Sequence, residues 1–149
     1  MTQAIDVKLT QGEDGVYDIG LDANGELELD YGFGTTIGLS ISGERRATAA
    51  EVPTPENRRG WIGNILSDIP GFEAGSKLWL LKQARLTPAT VTAAKNYTQD
   101  ALQWMIDDGF AKTITVTAEQ QGVSKIVAAI DIDGEVFYYD VWNNTVING

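Results

Sequence analysis

Histidine and cysteine are both absent from the 149 residues of this chain. Without cysteine there are no disulfides, thiolate nucleophiles or sulfur-ligated metals. Without histidine the Ser-His and Cys-His nucleophile pairs, His-ligated zinc and the usual general base near neutral pH are excluded. Acid/base or metal chemistry would have to come from carboxylates, lysines or tyrosines. Positive charge is sparse too: 11 Lys and Arg face 21 Asp and Glu, a net charge of −10. That balance argues against nucleic acid, whose partners present basic faces. No apolar run approaches the roughly 18 residues that cross a bilayer. The opening MTQAIDVKLTQGEDG has no basic segment followed by an apolar one, as a secretory signal requires. These features predict a soluble protein made in the cytoplasm, with neither a nucleic-acid nor a membrane partner. An apolar share of 43% supports one core, and the length predicts a single domain over residues 1–149.

What is present concentrates between Arg58 and Phe110, which hold three of the four tryptophans, Trp61, Trp79 and Trp104. Ahead of that stretch, residues 4–9, 16–19 and 26–30 alternate in hydropathy and predict short strands. Asp22-Ala23-Asn24-Gly25 falls between the last two, so 16–30 reads as a hairpin with a type I′ turn at Asn24-Gly25. Asp22, Asn24 and Glu26 alternate as calcium ligands do, but the glycine comes at the fourth position rather than the sixth. The plain turn is the stronger reading. Thr35 or Thr36 can cap a short helix carrying Ile37, Leu39 and Ile41.

SGERRATAAEVPTPENRRG then reads as a long loop at about 43–60, with Pro53 and Pro55 disfavouring helix. Loops of that length are functional or disordered. Arg45, Arg46, Arg58 and Arg59 border it and favour a docking element, because arginine pairs bidentately with carboxylates and is enriched at interfaces. Trp61, Ile62, Ile65 and Leu66 make one or two amphipathic turns, which Pro70-Gly71 stops. Leu78 to Leu81 are apolar without a break, helix or buried strand, with Ser76 as a possible N-cap.

The main helix is marked by Thr87 as N-cap, Pro88 at its first position and Gly109 just past its end. Val91, Ala94, Tyr97 or Thr98, Ala101, Leu102, Met105 and Ile106 form its apolar face. Asp107 and Asp108 sit in its last turn, where the helix dipole disfavours them. Residues 113–119, 125–132 and 135–142 predict three strands, the last two joined by Asp133-Gly134. The tail NNTVING reads as fraying. The expected class is α+β: a small antiparallel sheet, the C-terminal meander plus the N-terminal hairpin, packed on a central helix with shorter helices.

Two carboxylates flanking a sugar would permit glycoside hydrolysis, with Glu44, Glu51, Glu56, Asp107 and Asp108 as candidates. Nothing in their spacing brings two of them together. No P-loop is present, and no cofactor or metal is implied.

RRGW, GSKLWLL and the helix pattern A-x-x-Y-x-x-D-A-L-x-W-M-I-D-D-G, followed by TITV and IVAAIDI, form an ordered set. Its residues are Arg58, Arg59, Gly60, Trp61, Gly63, Gly75, Ser76, Leu78, Trp79, Leu80, Tyr97, Ala101, Leu102, Trp104, Asp108 and Gly109. In this set the chain resembles the phage Mu-type baseplate wedge family, distant kin of the gene 25-like wedge proteins of contractile phages and type VI secretion baseplates. Gly43-Glu44-Arg45 matches the Gly-Glu-Arg step of the gene 25-like proteins, whereas their Arg-Pro-x-Phe-Gly segment is replaced by the proline-bearing loop. The resemblance implies a structural subunit of a contractile tail baseplate in the virion, not an enzyme, with six copies around the tail tube. It would bind larger wedge subunits through Glu44, Arg45, Arg46, Arg58, Arg59 and Trp61. It would meet the tail sheath by strand pairing along Glu135, Phe137, Tyr139 and Val141. Contacts to tube or hub are also implied. The competing readings are a tail-associated two-carboxylate peptidoglycan hydrolase and a small adaptor outside phages.

Overall fold

The computed structural model describes residues 6–11, 16–30, 34–60, 66, 68, 73–82, 84–143 and 145–147. In chain order these form β1 (Asp6–Val7), β2 (Leu9–Gln11), β3 (Tyr17–Ile19), β4 (Leu29–Asp30), α1 (Gly34–Ser42), α2 (Pro88–Asp107), β5 (Ile114–Gln121), β6 (Lys125–Ile132), β7 (Glu135–Asp140) and β8 (Thr145–Val146). Short 3-10 turns occupy Pro55–Asn57 and Leu78–Leu81. Helices and antiparallel strands are segregated along the chain, so the fold is α+β as expected.

The core lies between α2 and one face of the sheet β5-β6-β7-β8. Ala94, Leu102 and Met105 recur at helical spacing, while Val116, Ile130 and Tyr139 sit on the inward side of their strands. The choice between Tyr97 and Thr98 falls to Thr98, which is fully buried and donates Oγ1 to Ala94 O at 2.8 Å. Thr87 caps α2 by accepting from Thr90 N, and Pro88 follows where its missing N–H costs nothing. At the other end Gly109 has φ 80°, with Gly109 N on Ile106 O and Phe110 N on Met105 O. That pair of bonds is a Schellman stop. The hairpin turn between β6 and β7 has φ 51° at Asp133 and 97° at Gly134, both positive as a type I′ turn requires.

Several expectations are corrected. At Asp22–Glu26 only Gly25 has positive φ, so the turn is not type I′. Gly25 N donates to Asp22 O, and Asp22 Oδ1 accepts from Asn24 N and Glu26 N. A short side chain closing its own turn outcompetes the primed geometry, and it directs the carboxylate weighed for calcium at backbone amides. Thr35 lies inside α1 and links it to the N-terminal strands instead of capping: its Oγ1 donates to Val7 O and accepts from Leu9 N. Leu39 is exposed, opposite to Ile37 and Ile41. Leu78–Leu81 is neither α-helix nor strand but a single 3-10 turn, with Lys77 rather than Ser76 at its start. The tail does not simply fray, since β8 pairs with Tyr139 and Asp140. The amphipathic turns drawn at Trp61–Leu66 and their stop at Pro70-Gly71 fall, apart from Leu66, outside the described residues.

Candidate partner interface

The loop after α1 begins with a close backbone crossing. Glu44 and Ser76 form a parallel bridge, in which Arg45 N donates to Ser76 O at 2.9 Å and Ser76 N to Gly43 O at 2.8 Å. Gly75 has φ 93°, and a Cβ on it would lie 2.7 Å from the Gly43 carbonyl carbon. Only glycine satisfies both demands there. Ser76 Oγ donates to Ile41 O at 2.7 Å, tying the crossing to the end of α1.

The arginines then hold the loop to itself. Arg46 donates to Arg59 O at 3.0 Å and Pro55 O at 3.1 Å. Arg58 donates from Nε to Val52 O at 2.7 Å and from Nη2 to Pro53 O at 2.8 Å. Carbonyls exposed by a proline-rich path lack strand or helix partners, and a guanidinium with five donors can serve two of them at once. Thr48 and Glu51 cap each other: Glu51 Oε1 accepts from Thr48 N, and Glu51 N donates to Thr48 Oγ1. Lys77 Nζ lies 2.8 Å from the same Oε1. Burial pushes the Glu51 pKa up, but the hydrogen bonds from Lys77 and Thr48 outweigh it and hold the carboxyl below its ordinary value. The long loop is therefore a brace with its own hydrogen-bond network.

Of the six residues expected to meet a partner here, five are described. Glu44 is ion-paired to Arg59, with both side chains more than two-fifths exposed. The Arg59 guanidinium carbon also sits 4.8 Å from the ring centre of Trp79. Trp79 in turn donates its indole N–H to Arg45 O at 2.8 Å. Arg45 reaches across to Asp100 O on α2 at 3.5 Å, and its buried Nε has no hydrogen-bond partner. Arg46 and Arg58 are taken up by loop carbonyls, as above. Trp61 lies outside the described residues. Glu44, Arg45, Arg59 and Trp79 thus form one cluster, and its exposed part is the Glu44–Arg59 pair. A small cleft of about 50 Å³ beside it is lined by Ile41, Gly43, Glu44, Ser76, Trp79 and Trp142 among others. Pockets for small molecules run to several hundred Å³, so this one has room for water rather than a sugar.

Three of the five hydrolase candidates have side-chain partners of their own, and Glu56 is exposed on the 3-10 turn of the loop. Glu44 and Glu51 carry cationic partners. Asp107 accepts from Gln103, and Asp108 is the C-cap of α2. A general acid needs a carboxyl held above its ordinary pKa, and Glu51 is held below. Among the described residues no cluster of three or more acidic side chains could hold a metal ion, and no helix is long and apolar enough to span a membrane.

The sheet offers two edges. Just past β7, Val141 N donates to Ile126 O of β6, while Tyr138 O on β7 accepts from Ile147 N on the opposite side. Odd-numbered residues of β7 therefore turn their backbone groups to β6, and Val136 and Tyr138 turn theirs outward. β8 pairs with Tyr139 and Asp140, leaving Val136 without a strand neighbour on its outer side among the described residues. The side chains of Tyr139 and Val141 are buried and Phe137 is half-buried in the core, whereas Glu135, Val136 and Tyr138 are exposed. Of the four residues expected to meet the sheath, only Glu135 presents its side chain; Phe137, Tyr139 and Val141 turn their backbone groups to β6, so the outward backbone comes from Val136 and Tyr138 between them. On the far edge, Gln99 of α2 donates Nε2 to Ile114 O at 2.9 Å and accepts from Val116 N at 3.1 Å. Sequence reading missed this plug, because a glutamine on a helix gives no sign of which strand lies beneath it.

Two kinds of comparison identify relatives. The model of a family described as phage protein GP46 matches residues 33–136. The Mu-like prophage FluMu protein gp46 of Haemophilus influenzae is 41% identical over 75 residues, which is 50% of this chain and 54% of that protein. The chain thus matches about half the length of that relative. Baseplate protein gp46 of Escherichia phage Mu is 32% identical over 136 residues, covering 88% of this chain and 89% of that protein. With a family match across most of its length and a relative aligned nearly throughout, this chain belongs to the phage GP46 family, alongside the gp46 protein of phage Mu.

Proposed function

We propose that this chain is a structural component of a contractile phage baseplate: a wedge subunit set around the tail tube, six to a baseplate, that binds larger wedge subunits and starts the sheath. The observation that carries this reading is the 32% identity to the baseplate protein of phage Mu over 88% of the chain. The physical chemistry agrees with a scaffold. Titratable side chains go into bracing a loop and closing turns, and among the described residues none is arranged around a substrate-sized cavity at the loop.

The brace supplies the wedge contact, with the Glu44–Arg59 pair as its exposed charge. An exposed ion pair is worth little to the monomer, so a partner carboxylate can recruit Arg59 at small cost. The sheath contact is strand addition at β7, where the outward N–H and C=O of Val136 continue the β8 edge. Strand pairing suits a loaded joint because its hydrogen bonds act together. β5 is the less suitable edge, since Gln99 already fills its first pairing position.

Val136→Pro removes one outward N–H from an exposed edge, where proline is tolerated. It should leave the purified protein folded and still bound to wedge subunits, while sheathed tails fall at least tenfold. Truncation before Glu135 would be a poorer test, because it also removes buried Tyr139 and Val141. Normal sheath yield from particles carrying Val136→Pro would overturn strand addition at β7. Tails of normal structure made without this chain would overturn the baseplate role.

A further inference from the structure

The N-terminal hairpin carries apolar residues where a monomer has no use for them. Leu21 and Leu27 face each other across an antiparallel bridge, and Gly20 O accepts from Glu28 N in the same register. Ile19 and Leu29 lie two residues further along the chain on either side, which is the spacing of one strand face, and pair with Leu9 and Val7. Their exposures are 52% for Ile19, 63% for Leu21, 44% for Leu27 and 43% for Leu29. Val7 and Leu9, paired to Leu29 and Ile19, continue the face and are half-buried. The intervening positions hold Asp18, Gly20 and Asp22 on one side and Glu26 and Glu28 on the other. Contiguous exposed aliphatics of this kind mark an interaction site. Turn geometry does not demand them either, since Asp22 and Gly25 alone close the turn.

Charge selects the occupant. Between Asp6 and Asp30 the chain has eight carboxylates and one lysine, Lys8, which lies 4.0 Å from Glu28. Two copies packed hairpin to hairpin would bring these carboxylates together, and an anionic bilayer would repel them. The closest basic grouping on this chain, the loop arginines, already donates to loop carbonyls and Glu44, which makes a neighbouring copy a poorer basic wall than a separate subunit. We infer that this hairpin inserts, leucine face down, into an apolar groove walled by lysine and arginine on a different subunit of the same particle. The inference rests on the baseplate reading and adds a second contact, remote in sequence from the brace and from β7. Apolar burial supplies the affinity, and the carboxylates of the hairpin set orientation and speed encounter.

The test uses complete particles in which Leu21 is replaced by the photo-crosslinking residue p-benzoylphenylalanine. After irradiation, the joined peptides are sequenced by mass spectrometry. The expected product links position 21 to a different subunit, at an apolar segment flanked by Lys or Arg. A product joining two copies of this chain, a product on an acidic segment, or no product in particles that contain the chain would overturn the inference. Particles that lack the chain altogether would overturn the baseplate reading instead. As a second measurement, Leu21→Ser with Leu27→Ser should keep the wild-type melting temperature within about 3 °C and lower incorporation into particles at least tenfold. Wild-type incorporation of that folded variant would also overturn the inference, and if the variant fails to fold the crosslink decides alone.

Discussion

The carboxamide of Gln99, on α2, pairs with the backbone N–H of Val116 on β5 at 3.1 Å while its Nε2 holds Ile114 O at 2.9 Å. A helix side chain thereby stands in for a strand at the edge of the sheet. Exposed edges invite pairing with other chains, and covering them is a common remedy. Replacing Gln99 with leucine should leave the Val116 N–H without its partner, lowering stability by about 1–3 kcal/mol. Urea unfolding measures the loss, and light scattering should register self-association through the uncovered edge. An unchanged unfolding midpoint with a monodisperse monomer would mean the plug is incidental.

Gly75 and Gly43 set the entry to the loop. Gly75→Ala meets both a positive φ and a contact of 2.7 Å with the Gly43 carbonyl carbon. Strain of this type costs about 1–3 kcal/mol before any backbone shift. Gly122→Ala also has positive φ, 65°, but open space around the added methyl. Thermal unfolding should rank Gly75→Ala clearly below Gly122→Ala; equal midpoints would remove the close crossing from the account.

Arg58 is the test of the brace. Arg58→Ala leaves Val52 O and Pro53 O without their donor. Hydrogen exchange should rise across residues 47–58, most visibly at Ala47 N–H, which donates to Arg58 O, and at Val52 N–H, which donates to Thr48 O. Exchange in α2 should stay as in wild type. Arg59→Ala, by contrast, loses an exposed pair and a cation–π contact, together about 1 kcal/mol or less. If both variants exchange like wild type, the loop is held by something other than its arginines.

Acid should loosen the molecule at two identified places. The Glu51 carboxyl is raised by burial but lowered further by Lys77 and Thr48. That of Asp133 is lowered by the amides of Thr113 and Lys112. For a carboxyl whose folded pKa lies below its unfolded value, the stabilisation is complete above the unfolded pKa and is lost as pH falls through the folded one. Stability should therefore hold from neutral pH to about pH 5 and decline below about pH 4. Glu51→Gln should be less stable than wild type at pH 7, with the gap closing at low pH. A gap that widens on acidification would reverse the sign and refute the assignment.

The parts legible in the sequence are those specified locally. Thr87, Pro88 and Gly109 mark α2 because capping uses neighbours within one turn. Asp133-Gly134 specifies its hairpin because two adjacent residues tolerate positive φ. The family likeness was legible as well, through ordered motifs between Arg58 and Gly109. What escaped the sequence depends on residues far apart. Leu78–Leu81 forms a 3-10 turn in a segment whose Ser76 is held by Ile41 O, a partner 35 positions away. The bracing role of Arg46 and Arg58 escaped sequence reading because isolated carbonyls such as Val52 O leave no trace in composition. The turn at Asp22 was misread for the opposite reason: its own side chain competed with the Asn-Gly preference.

The most direct measurement is a cryo-electron microscopy map of the intact tail particle at side-chain resolution. The account predicts this chain in a ring of six at the base of the tube, with a foreign strand hydrogen-bonded to Val136 on β7 and the Leu21–Leu27 face seated on another subunit. A particle with a complete baseplate and no density for this chain would contradict its central claim.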